Sequence, residues 1–257
     1  MHKRRPEWID HALERSAGRE IFPVEERGKR YWIKKGRPTG SHALHHLGYR
    51  LTGLPFLHPV QSKDALQAVA YEAGKLKRLE SKGVSVPSVV WQEEEFFVLE
   101  DRGETLAKLL KGASSDEGTG WLQKVAEALA RLHRTGEYHG ASQIRNFTMD
   151  EEGRVSIIDF EESFPGGADL EALQFRDLFL LLYSLHRQRW EMDYATFLEH
   201  YMELSGHEAF REKFHELYRR FRWLAKAVEN EKIRSLLGSD AEILHRLFES
   251  LRHERTS

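Results

Sequence analysis

The chain of 257 residues contains no cysteine. That removes disulfide staples, a thiol nucleophile and any cysteine-based metal site, and it is compatible with a reducing compartment. Long apolar runs are also missing. The longest, Leu178 to Leu185, is far shorter than a bilayer span requires. No apolar stretch follows the basic start Met1-His2-Lys3-Arg4-Arg5, as a secretory leader would need, so a cytoplasmic location is expected. Charge of one sign is lacking too. A net charge near −2 argues against a general nucleic-acid binder, which needs a basic surface to meet phosphates. What is present, 40% hydrophobic residues, suffices for one large domain or two lobes with a sizeable core.

The first hundred residues read as strands with one main helix. Ile21-Phe22-Pro23-Val24 and Tyr31-Trp32-Ile33-Lys34 flank the polar turn Glu25 to Lys29, which predicts an antiparallel hairpin. From Asp64 to Lys82, the spacing of Leu66, Val69, Ala73, Leu76 and Leu79 predicts a helix closed by Gly83. Extended structure resumes over Val84 to Trp91 and Phe96 to Leu99, around the acidic turn Glu93-Glu94-Glu95. After Glu100 the pattern turns helical. Leu122, Val125, Leu129 and Leu132 form one apolar face ending at Gly136, and further helices are expected over Asp169 to Arg187, Asp193 to Leu204, His207 to Glu229 and Asp240 to His253. The expectation is an α+β chain: an antiparallel-sheet lobe over 1–100, a mostly helical lobe over 101–257, and a hinge near Glu100.

The chemistry concentrates at the start of the second lobe. His139-Gly140-Ala141-Ser142-Gln143-Ile144-Arg145-Asn146 is followed, thirteen residues after Asn146, by Asp159-Phe160-Glu161. This is the spacing of a kinase active site, in which an H-R-D-L-x-x-x-N loop supplies a base and a metal-binding Asn and a later D-F-G supplies a metal-binding Asp. Magnesium takes oxygen ligands, so Asn146 and Asp159 are the candidate pair. Val155-Ser156-Ile157-Ile158 reads as the strand that delivers Asp159, entered through the turn Asp150-Glu151-Glu152-Gly153. Ala141 stands where the base belongs, and a methyl group cannot accept a proton.

On these residues the chain resembles the bacterial lipopolysaccharide-core sugar kinases, the heptose and Kdo kinase family, which share the two-lobed protein-kinase-like fold. The resemblance runs from about Tyr31 to Leu185. It is carried by Tyr31-Trp32-Ile33-Lys34, by Glu72 within Tyr71 to Leu76, by Gly83-Val84-Ser85-Val86-Pro87, and by Leu99-Glu100-Asp101. Leu132 to Gly136, the His139 to Asn146 loop, Ile157-Ile158-Asp159 and Arg176-Asp177-Leu178 complete it. The resemblance implies ATP and Mg²⁺ as cofactors. Lys34 would contact the α/β-phosphates and pair with Glu72, the backbone near Glu100 would receive adenine, and Asn146 and Asp159 would hold the metal. His139, Arg145 and Asp177 would belong to the catalytic loop and its brace. It also implies an anionic glycolipid or sugar acceptor and peripheral contact with the cytoplasmic face of the inner membrane.

Several readings stay open. Lys35 competes with Lys34 for the phosphate-facing register, and Asp177 can instead cap its helix. No G-x-G-x-x-G phosphate loop is present, only Gly18 and Gly28 in the right region. Ala141 admits a pseudokinase, a kinase relying on positioning and magnesium, or one in which Glu161 or Glu162 takes the proton. A small-molecule kinase of the aminoglycoside or choline type shares the His-Gly start of the loop but normally keeps its Asp. The cluster His42, His45, His46 lacks a zincin's glutamate, and with Arg37 and Arg50 it reads as a loop able to face an anionic sugar. Tyr218-Arg219-Arg220-Phe221-Arg222-Trp223 reads as an amphipathic helix with arginines outward.

Overall fold

The structure, a computed structural model, describes residues 4–40, 59–222 and 239–251. They divide into two compact units. One takes in Met1–Gly103 and Ile158–Gly166, the other Glu104–Ile157 and Gly167–Ser257.

In the first unit, strands β1 (Ile21–Glu26), β2 (Lys29–Lys35), β3 (Val89–Gln92) and β4 (Phe96–Glu100) form an antiparallel sheet in the order β1-β2-β4-β3. The β1/β2 hairpin is tighter than the expected five-residue turn. Glu26 pairs with Lys29, leaving Arg27 and Gly28 as a two-residue loop with φ of 51° and 74°. Two successive left-handed residues match the right-handed twist of the strands they join. One face of the sheet presents Phe22, Ile33, Phe96 and Val98 to Ile9 and Ala12 of α1 (Glu7–Glu14), a helix absent from the sequence expectation. The other receives α2 (Ala65–Ser81), which packs on β3 and β4. Covered on both sides, β4 is buried along Phe96 to Leu99 and loses the alternation of a half-exposed strand.

The α2 boundaries follow from local chemistry. The Asp64 side chain accepts from the Gln67 amide at 2.8 Å while the Gln67 side chain returns to the Asp64 amide at 3.2 Å, a reciprocal cap that satisfies two otherwise orphaned donors. Gly83, at φ 74°, ends it. The buried stripe begins at Ala68 and Val69. Leu66, expected to join it, is 49% exposed, whereas Glu72 and Lys75 are buried on the same helix.

The second unit contains a small sheet, β5 (Glu104–Thr105), β6 (Phe147–Met149) and β7 (Val155–Ile157), and helices α3 (Leu106–Leu109), α4 (Ser115–Arg134), α5 (Leu170–Arg187), α6 (Tyr194–Ser205), α7 (Phe210–Phe221) and α8 (Ser239–Ser250). The β6/β7 turn is tied by Asp150, whose carboxylate accepts from the Glu152 and Arg154 amides, with Gly153 at φ 73°. Leu122, Val125, Leu129 and Leu132 are buried on α4, as their spacing predicts. The helix expected from His207 begins at Phe210, and residues 223–229 of that expectation lie outside the described residues. On α7, Phe214 and Leu217 are buried and Arg219 and Arg220 are exposed, as is Arg222, which caps its C-terminus. The α+β class, with a small antiparallel sheet followed by a helical part, is the one expected.

Packing in the helical unit yields a stability test. A methyl group at the buried Gly118 of α4 would lie 2.0 Å from Cζ2 of Trp190, whose main chain is anchored through Leu185 and Tyr194. Alanine gains about 1 kcal/mol of helix propensity over glycine, but a rigid indole cannot bend away from the overlap. Gly118→Ala is therefore expected to cost a net ~1–3 kcal/mol, as overpacking does, and to lower Tm by several degrees in calorimetry. An unchanged or higher Tm would mean that Trp190 swings aside freely.

Candidate active site

Strand alternation resolves which lysine of β2 faces the site. Ile33 is fully buried against α1, and Lys35 lies on that same side, donating to Ser16 Oγ at 2.8 Å. Lys34 therefore points to the opposite face. Its Nζ lies 2.8 Å from Glu72 on α2, 2.5 Å from Asp159 Oδ1 and 3.9 Å from Glu161 Oε2. Glu72 is 3% exposed. Burial, with the negative charge of Asp159 added, pushes its carboxyl up to about 7 in spite of Lys34. Burial opposes the ammonium as well, but attraction to Glu72 and then Asp159 outweighs it and raises the pKa of Lys34 above the ordinary value.

Side chains of the sheet unit hold the segment carrying Asp159. Arg37 donates to both oxygens of Glu161 at 3.0 and 3.1 Å, Tyr71 Oη to the Glu162 carbonyl at 3.1 Å, and Lys63 Nζ to Ser163 Oγ at 2.8 Å. The Lys75 ammonium lies 5.5 Å from the centre of the Phe160 ring. Asp159 itself is held at φ 69°, a left-handed conformation that costs a non-glycine residue energy and persists only where the surroundings enforce it.

Among the described residues, Glu72, Asp159 and Glu161 bring carboxylate oxygens within 4.8 Å of one another. An all-oxygen donor set fits a hard divalent cation such as Mg²⁺. Glu72 is sealed from solvent, with its side chain 4% exposed, whereas those of Asp159 and Glu161 are 35% and 22% exposed, so Asp159 and Glu161 are the better candidate ligands.

The helical unit builds the loop around Asp177. Asp169 caps α5, so Asp177, eight residues further along, has another task. Wholly buried, it accepts from the amides of His139 at 2.6 Å and Gly140 at 2.7 Å and lies 3.2 Å from His133 Nε2. His133 Nδ1 is 2.5 Å from Tyr201 Oη. Burial opposes the Asp177 charge, but His133 and His139 together, through hydrogen bonds and electrostatic attraction, outweigh it and keep the carboxyl below its usual range. His139 is buried, and its Nδ1 accepts from the Ala141 amide at 3.1 Å, so its ring shapes the loop from within. The Ala141 carbonyl accepts from Asn146 Nδ2 and from the Gln143 amide, both at 2.8 Å. Ala141 is half-buried and Arg145 is exposed.

Glu100 ends β4, with its amide donating to the Ser88 carbonyl at 3.0 Å and its carboxylate 3.4 Å from Arg102. Arg37, expected to meet an acceptor, is engaged by Glu161. His42, His45, His46 and Arg50 lie outside the described residues. The sequence reading missed the clamp formed by Arg37, Lys63 and Tyr71 and the support of His133 by Tyr201. Each joins residues far apart in the chain and leaves no local pattern.

The profile of the lipopolysaccharide kinase (Kdo/WaaP) family matches residues 63–201. An uncharacterized protein of Haemophilus influenzae is 27% identical over 184 residues, a stretch covering 71% of this chain and 69% of that protein.

Proposed function

The chain belongs to the lipopolysaccharide kinase (Kdo/WaaP) family, and from that premise we propose that it transfers the γ-phosphoryl group of ATP, with Mg²⁺, to a sugar hydroxyl of an anionic, lipopolysaccharide-core-like acceptor. The observation that carries this reading is Lys34, buried and shared between Glu72 and Asp159. An ammonium kept charged and aimed by a carboxylate on a packed helix is the part that meets nucleotide phosphates in kinase folds. Bound to Asp159 and Glu161, Mg²⁺ would neutralise phosphate charge. In the second unit Asn146 commits its amide nitrogen to Ala141, which leaves Oδ1 as the atom it can offer to a metal. Asp177 and His133 keep the loop amides in place. Without a carboxylate at Ala141 the reaction leans on positioning and charge neutralisation, which carry most of the catalysis in phosphoryl transfer through a loose transition state.

No helix among the described residues is long and apolar enough to cross a membrane. For a lipid-anchored acceptor, exposed Arg219, Arg220 and Arg222 supply a basic surface suited to peripheral contact at the inner membrane. Ala141 favours one second reading: a nucleotide-binding pseudokinase that regulates a partner.

The test is calorimetric binding of ATP with and without Mg²⁺, followed by turnover on lipopolysaccharide fragments read as phosphorylated product. Asp159→Asn is expected to weaken Mg²⁺-dependent ATP binding by about tenfold or more, since a charge-assisted ligand to the metal is worth ~1.5–3 kcal/mol. Unchanged affinity would remove Asp159 from the metal site. Metal-dependent binding without product on any fragment would favour the pseudokinase.

A further inference from the structure

The face of β2 that carries Lys34 also carries Trp32 and Arg30, because side chains alternate along a strand. Their neighbours Tyr31, Ile33 and Lys35 turn to the α1 side, where Tyr31 packs against Trp8 at 5.4 Å between ring centres. Trp32 is thus a large aromatic residue kept out of the α1-side core and only half buried. It stands two residues, or about 6–7 Å along the strand, from the phosphate-facing lysine.

Its ring is held firmly. Nε1 donates to Asp101 Oδ1 at 2.5 Å. Asp101 is itself fixed, its amide donating to the Arg30 carbonyl at 3.1 Å and its other carboxylate oxygen accepting from the Gly103 amide at 3.3 Å. The Arg30 guanidinium lies 5.2 Å from the indole centre. Opposite Trp32 on β4 stands Leu99, and opposite Lys34 stands Phe97, so the β4 side chains on this face are apolar. With its only donor spent on Asp101, the indole can offer a ligand nothing but its π-face.

We propose that Trp32, fixed by Asp101 and Arg30, is a stacking platform for the nucleotide base and determines how tightly this chain holds a nucleotide beyond its phosphates. The proposal rests on the reading of Lys34 as the phosphate-binding lysine. A planar, donor-free surface one ribose away from that lysine recognises an aromatic heterocycle but not its hydrogen-bonding edge. Every base has a π-face, so the platform grades nucleotides by stacking strength: purine triphosphates bind best, pyrimidine triphosphates less well, and bare tripolyphosphate least.

The experiment compares Mg²⁺·ATP with Mg²⁺·tripolyphosphate by calorimetry on the full chain. Stacking of a base on an aromatic side chain corresponds to roughly 5- to 100-fold in affinity. Trp32→Leu, which keeps bulk but removes the π-system, is expected to weaken ATP by that factor and leave tripolyphosphate unchanged, while Trp32→Phe retains most of the ATP affinity. A melting curve for each variant verifies folding. Should Trp32→Leu unfold, Trp32→Phe against Trp32→Met supplies the same contrast. Equal or tighter ATP binding without the aromatic ring overturns the platform and means that the indole obstructs the base. A parallel loss of ATP and tripolyphosphate assigns Trp32 a merely structural role and overturns it as well. If the native chain binds neither ligand, the phosphate-site reading itself falls, and the platform with it.

Discussion

Lys34→Met is expected to destabilise the folded protein by ~2–4 kcal/mol in metal-free buffer at neutral pH and to abolish nucleotide-dependent phosphoryl transfer. Removing one partner of a buried ion pair typically costs about 3–5 kcal/mol because the other charge is stranded. Here the loss is capped, since Glu72, already poised near 7, can take up a proton instead. The pH dependence distinguishes this account from simple loss of packing. In the native chain the Glu72 carboxyl binds protons more tightly folded than unfolded, so stability falls as pH rises from about 4.5 to about 7 and then levels. Without Lys34 the folded pKa rises further and the fall continues. The gap between variant and native chain should therefore be flat below pH 7 and widen above it by up to ~1.4 kcal/mol per pH unit. Lys34→Met combined with Glu72→Gln should recover part of the stability and remove the widening. Chemical denaturation at pH 6, 7, 8 and 9 reads all of this, and a pH-independent gap would refute the stranded-carboxylate account.

Such effects depend on contacts that the chain shows in its letters only in part. Asp159, Asn146 and Asp177 stand out as candidates because their spacing around a strand and a short loop repeats a known chemical order. Glu72 enters through the resemblance alone, as the carboxylate of the stretch Tyr71 to Leu76. The choice between Lys34 and Lys35 is not legible, because it depends on Ser16 and Phe22 receiving Lys35 on the far face of the sheet. α1 was missed for a related reason. Eight residues with two buried side chains, Ile9 and Ala12, are too few to set a helical period apart from a basic tail, and such a helix owes its stability to the sheet beneath it. The attachment of Ile158–Gly166 to the sheet unit was equally hidden. It is made by Lys34, Arg37, Lys63 and Tyr71, with sequence separations near one hundred residues.

Ala141→Asp is expected to raise turnover on the acceptor by about 10²–10⁴-fold, the usual range for a positioned general base. The main chain at this position is already fixed. The Ala141 amide donates to His139 Nδ1, and its carbonyl accepts from Asn146 and Gln143. A carboxylate on this Cβ would thus be delivered from a rigid loop, which Asp177 clamps through the His139 and Gly140 amides. The cost of the new charge is small, because the position is half open and needs no buried counter-ion. Since the substitution touches the proton and not the nucleotide, kcat should rise while ATP affinity stays near the native value. The ratio of phosphorylated acceptor to free phosphate should rise too, because a base aimed at a sugar hydroxyl favours the acceptor over water. A fall in kcat with unchanged ATP binding would contradict this account: the site would then be built around the methyl group, with the acceptor's proton leaving to another carboxylate, which Glu161→Gln and Glu162→Gln, made separately, would identify.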